Sequence, residues 1–141
     1  GHLAAGLFEV QRTGDDTSGR DWSRTRKMGV NTLAFRAAQQ GAFFDVDADC
    51  VGLTNAIPWS LNRQWLDLLS RSGTPLFVSA APDAVGPEQR SALREAFARA
   101  AIRQPVAEPL DWLQSNEPQH WRLGSTTANY DWFTGAISIP L

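Results

Sequence analysis

Carboxylates are the residues of this chain whose types and spacing suit chemistry. Asp15 and Asp16 stand side by side in the polar, glycine-containing loop 11–19, and Arg12 precedes Asp16 by four positions. An acidic pair following a strand can exchange protons with a ligand when it lies in a cleft. It can equally cap the next helix or close an Asx turn. Arg12 can donate paired hydrogen bonds to sugar hydroxyls, orient a carboxylate, or form a structural ion pair at a strand end. Asp45, Asp47 and Asp49 alternate, which on a strand puts all three on one face. Three like charges on one face are costly unless paired or set at a solvent-filled mouth, so they read as groups near a cleft. A Mg²⁺ or Ca²⁺ site would need a further ligand cluster, and none is evident, so no metal is expected. Trp59, in the loop after the second strand, offers a flat face of the kind that covers a pyranose.

The other reactive types are poorly placed. His2 and His120 are isolated and have no partner at metal-ligand spacing. Cys50 is the single cysteine and reads as a small buried apolar residue, not a nucleophile. Ser18 and Ser79 lack a nucleophile-elbow context. There is no glycine-rich phosphate loop, and no cofactor is expected.

The elements that must position these groups alternate. Residues 7–10 read as a strand, and Asp21 is suited to cap a helix over 22–39 whose middle is weakened by Gly29 and Val30. Gly41 stops it. A second strand is expected over 42–47, followed by a loop through Pro58 and a helix over 62–69, closed by Gly73. Residues 75–80 form a near-continuous apolar run of the buried parallel type. The clearest helix covers 87–102, with Pro87 in its first turn and Leu93, Ala96, Phe97 and Ala100 on one side. The order β-α-β-α-β-α implies an α/β fold with parallel strands and right-handed crossovers. After Arg103, Pro105, Pro109 and Pro118 break the chain into short pieces. Residues 120–123, 130–133 and 137–139 there predict an antiparallel β-region. The expected division is 1–104 and 105–141.

Bulk properties exclude some functions. The 141 residues carry a net charge of −2, with 43% hydrophobic and 20% charged residues, a globular mix. Scattered Lys and Arg predict no nucleic-acid partner, and no apolar run is long enough to span a membrane. Three βα units leave both sheet edges open. Either more sheet belongs upstream or the domain closes by dimerising, and an exposed edge favours a homo-oligomer.

Several of these segments carry a family likeness. Arg12-Thr13-Gly14-Asp15-Asp16 at a strand end, followed by Trp22, resembles the sixth-strand motif of the melibiase and α-galactosidase glycoside hydrolases. There an Arg is followed four residues later by the catalytic acid/base Asp. The stretch 43–53, with its acidic cluster and Cys50, is similar to the seventh-strand region, and Trp65 with Gly73-Thr74-Pro75-Leu76-Phe77-Val78-Ser79 resembles the seventh helix and eighth strand. The resemblance implies the last βα units, about strands 6–8, of a TIM barrel passing into a β-sandwich-like domain. It implies Asp16 as acid/base in a two-carboxylate retaining mechanism, with Arg12, Asp15, Asp47 and Trp59 toward a carbohydrate substrate. The family's nucleophile lies on the fourth strand, which in this register precedes residue 1, so no residue here takes that role and this chain alone is expected to be inactive. A non-catalytic α/β domain binding carbohydrate through exposed Trp is the alternative. A flavodoxin-like domain with an Asp15/Asp16/Asp47 acidic pocket is a third.

Overall fold

The computed structural model describes residues 10–12, 16, 17, 19–42 and 44–139, and over these the chain is a mixed α/β protein with parallel and antiparallel sheets. Strand β1 (Val10–Arg12) leads through α1 (Trp22–Arg24) into a π-helical turn (Thr25–Val30), α2 (Asn31–Arg36) and a 3₁₀ turn (Ala37–Gln39). Asp21 is the N-cap, accepting the Ser23 N–H at 2.9 Å. The expected helix is therefore continuous but widened where Gly29 lies. A Cβ on Gly29 would sit 2.8 Å from Cζ2 of Trp65, so the missing side chain is what lets the buried indole lie against this turn.

Strand β2 (Asp45–Asp47) pairs in parallel with β1, and β3 (Val51–Leu53) pairs in parallel with β4 (Val78–Ala80). Between β2 and β3 the backbone turns at Asp49, which has φ 82°. One run, 45–53, thus takes β1 along its first half and β4 along its second. β3 falls in a stretch that composition assigns to loop, because Gly52, Thr54 and Asn55 are turn residues. Its strand character comes from pairing with β4. Helix α3 (Trp59–Arg71) begins three residues earlier than the apolar stripe predicts and buries Trp65, Leu66, Leu68 and Leu69.

β4 departs from the expectation of burial. Ser79 and Ala80 are exposed, and Phe77 just before them is 44% exposed. Among the described residues β4 is paired to β3 alone, so its outer edge lacks a cover. Helix α4 (Pro87–Ala100) packs on the core through Ala92, Leu93 and Ala96, which leaves Phe97 47% exposed.

The tail is a four-stranded antiparallel sheet in the order β5 (Glu108–Pro109), β6 (His120–Leu123), β7 (Thr126–Tyr130), β8 (Ile137–Ser138). The strand expected over 130–133 ends at Tyr130 instead. Asp131 Oδ1 accepts the N–H groups of Phe133 at 3.0 Å and Thr134 at 3.1 Å, which folds 131–135 into a turn. Residues on both sides of position 104 share one core: Leu33, Leu53, Trp65 and Leu69 from one side, Ala107, Trp121, Tyr130 and Trp132 from the other. Among the described residues no helix is long and apolar enough to cross a membrane.

Candidate functional site

Of the carboxylates singled out in the sequence, Asp16 follows the end of β1, Asp47 ends β2 and Asp49 lies in the turn after it. Arg12 closes β1, and its Cα lies in register with that of Asp47, the last residue of β2. Asp47 is 9% exposed and Asp49 only 5%. The Asp49 N–H donates to Asp47 Oδ1 at 2.8 Å, an Asx-type bond that turns the chain out of the strand. With Asp49 at a positive φ, the alternation fails there, so the three carboxylates do not share one strand face. Asp45 lies at the other, amino end of β2: its Oδ1 accepts from Gln40 Nε2 at 2.8 Å, while Gln40 Oε1 accepts the Val46 N–H at 2.6 Å.

Asp16 is exposed and sits in the loop after β1. Its loop is tied to the strand ends by several bonds. Arg24 Nε donates to the Asp16 carbonyl at 2.7 Å. The Thr17 N–H donates to Asp49 Oδ2, and the Thr17 hydroxyl donates to the Cys50 carbonyl at 3.0 Å. Further along, the Thr54 hydroxyl donates to the Gly19 carbonyl. Capping of α1 belongs to Asp21, so Asp16 is not the helix cap. Asp15 lies outside the described residues.

Trp59 is the first residue of α3 and packs, half-buried, against the core. Its Nε1 is buried and finds no hydrogen-bond partner among the described residues. Of the chain's six tryptophans, Trp65, Trp121 and Trp132 are fully buried, Trp22 and Trp59 are half-buried, and Trp112 is 50% exposed. Core filling thus accounts for most of the high Trp content.

Of the residues that hold this loop, composition and spacing singled out Asp49 but not Arg24. For Asp49 the signal was present in the acidic run but was read as strand alternation. For Arg24 there was none, because its partner is a backbone carbonyl.

No family model matches the chain, and no curated protein or solved structure does. What the site offers chemically is therefore read from its own geometry. It presents one exposed carboxyl group on an anchored loop and two buried carboxylates, one ending β2 and one in the turn that follows it. Among the described residues no group of three or more His, Cys, Asp or Glu side chains is arranged to hold a metal ion. A cavity of ≈ 410 Å³ opens at the other, amino ends of the strands, between Gln40, Asp45, Thr74 and Arg103, away from these carboxylates.

A second polar centre ties the tail to the helices. Asp67 on α3 accepts from Arg71 Nε at 3.1 Å, from Arg99 Nη1 of α4 at 3.4 Å, and from the Tyr130 hydroxyl of β7 at 2.7 Å. Burial foremost, then the charge and hydrogen bond of Asp67, push the Tyr130 phenol far above its ordinary value, against the opposing effect of Arg71 and Arg99. This centre joins elements and presents no exposed acid. Arg26, reaching from the π-helical turn, pairs with Glu117 at 2.8 Å and lies 4.3 Å from the centre of the Phe133 ring, another link between the two parts.

Proposed function

We propose that this chain supplies the last βα units, about strands 6–8, of a TIM-barrel glycoside hydrolase whose parent protein hydrolyses α-galactosides or related glycosides. The observation that carries this reading is the placement of Asp16 on a loop that leaves the carboxyl end of β1, a strand paired in parallel with β2, and that is tied to Asp49 just beyond the carboxyl end of β2. Catalytic groups of such barrels occupy that end. In this reading Asp16 is the acid/base of a retaining pair. It protonates the glycosidic oxygen as the leaving group departs and then removes a proton from the incoming water. The nucleophile is assigned to no residue of this chain. Arg12 and Asp47, whose Cα atoms are in register where β1 and β2 end, are the residues this reading assigns to orienting sugar hydroxyls. The unshared edge of β4 and the exposed Phe77 suit a sheet that continues.

A carbohydrate-binding domain without catalysis would group its Trp faces on one surface. Trp112 is the one tryptophan at least half exposed here, which weighs against that reading.

The test is hydrolysis of p-nitrophenyl α-galactoside and related α- and β-glycosides by the intact parent protein, with Asp16→Asn beside it. Activity is expected in the parent, and the substitution should lower turnover of poor leaving groups by about 100-fold or more. Full activity in Asp16→Asn sinks the acid/base role, and inactivity of the parent on every glycoside sinks the class.

A further inference from the structure

We infer that Arg24 and Asp49 are positioning residues that hold the Asp16 carboxyl in place by gripping a single peptide unit; the inference rests on the glycosidase reading above. The unit is the Asp16–Thr17 peptide. Its carbonyl accepts from Arg24 Nε at 2.7 Å, and its N–H donates to Asp49 Oδ2. Both ends of one rigid plane are therefore bonded to charged groups, one on the last residue of α1 and one in the turn that follows β2. A planar peptide held at its donor and its acceptor has little freedom to rotate. Hydrogen bonds to charged groups are also the stronger kind. Next to it, the Thr17 hydroxyl donates to the Cys50 carbonyl at 3.0 Å.

The geometry of Asp49 suits this use. It is 5% exposed, and its φ of 82° lies in the left-handed region that most residues avoid and that Asp and Asn tolerate best. Its own N–H is taken by Asp47 Oδ1 at 2.8 Å, which orients the backbone from which its side chain reaches Thr17. An exposed loop acid that must meet a glycosidic oxygen needs such external fixing. Misplacement by about 1 Å costs on the order of 100-fold in rate.

The experiment uses the full-length protein carrying this chain, as wild type, Arg24→Ala, Arg24→Lys, Asp49→Asn and Asp49→Ala. Two measurements are made on each: amide hydrogen exchange at Thr17, and kcat and KM on a glycoside with a poor leaving group and one with an activated phenol. Asp49→Ala should speed Thr17 exchange about tenfold or more. Arg24→Ala and Asp49→Ala should lower kcat/KM on the poor leaving group by about 10–100-fold and leave kcat/KM on the activated substrate largely unchanged, because only the first step with the poor leaving group needs the acid. Asp49→Asn, which keeps an acceptor oxygen and tolerates the backbone angle, should recover much of the loss. Unchanged Thr17 exchange in Asp49→Ala overturns the inference, and so does an equal fall in kcat/KM on both substrates in folded Arg24→Ala. A wild-type protein inactive on every glycoside overturns the glycosidase reading, and the exchange data then decide alone whether Asp49 holds the loop.

Discussion

Tyr130 is the only tyrosine of the chain, and its hydroxyl donates to Asp67 at 2.7 Å while Arg71 and Arg99 hold the same carboxylate. Burial and the negative neighbour both disfavour the phenolate, so the folded protein keeps the phenol proton far more tightly than an unfolded chain, where the ordinary value is 10.0. A group whose folded pKa is raised contributes stability in full below its unfolded pKa and loses it as pH climbs beyond that point. Stability to urea should therefore fall as pH rises above 10.0, and the ultraviolet tyrosinate band should appear only with unfolding. Tyr130→Phe should cost about 1–3 kcal/mol at neutral pH and remove this contribution to the alkaline decline. A tyrosinate band in the folded protein near the ordinary value would show that the hydroxyl is not held as described. Asp67→Ala should cost more, about 3 kcal/mol, because it leaves the buried Tyr130 hydroxyl and the partly buried Arg71 without their carboxylate, while Arg99 keeps its bond to Ser70 at 2.9 Å.

The widened turn between α1 and α2 sets a contest between two effects at Gly29. Replacing a helical Gly by Ala is favourable by about 1 kcal/mol in an open helix. Here the new Cβ would meet the Trp65 ring at 2.8 Å and 3.2 Å and the Thr17 methyl at 3.2 Å. Trp65 is fully buried and has nowhere to move, so overpacking wins. Gly29→Ala is expected to destabilise by about 1–3 kcal/mol. Gly41 is the control for a different cause. Its φ is +69° and nothing lies within 4 Å of the added Cβ, so Gly41→Ala carries only the backbone cost, about 1 kcal/mol. Thermal melts of the two variants separate crowding from backbone strain: a second change that shrinks the indole, Trp65→Phe, should relieve the first defect and leave the second untouched.

Across the whole molecule the tail and the βα units rely on each other. Trp121, Tyr130 and Trp132 are fully buried in the same cluster as Trp65 and Leu69. Further ties are the Trp22 Nε1 bond to the Trp132 carbonyl at 2.5 Å, the Gln64 Nε2 bond to the Ala136 carbonyl at 2.9 Å, and the Arg26–Glu117 pair. A chain ending at residue 104 is expected to lose cooperative folding, because truncation would bare the face of α3 that carries Trp65, Gln64 and Leu69. The 141-residue chain should unfold in one transition when followed by Trp fluorescence and by backbone circular dichroism. A stable folded 1–104 piece, or two separated transitions, would mean that the tail merely rests on the helices.

Periodicity and punctuation determined the βαβαβα order of the first hundred residues, helices over 22–39, 62–69 and 87–102 whose ends differ from the observed ones by no more than three residues, the glycine stops and the Asp21 cap, because these rest on neighbours in sequence. The antiparallel character of the tail was legible from its short β-branched and aromatic runs for the same reason. The grouping of carboxylates at strand ends was legible only as composition. What tertiary structure alone decided is whatever depends on a partner far along the chain. β3 exists because β4 lies beside it. Tyr130 stays protonated because packing buries it and a helix carboxylate 63 positions away meets its hydroxyl. Asp49 leaves the strand pattern because its own backbone turns onto Asp47 and its side chain is drawn to Thr17, 32 positions earlier. A short-range pattern cannot encode such meetings, since each is set by how helices and strands pack and not by the residues on either side.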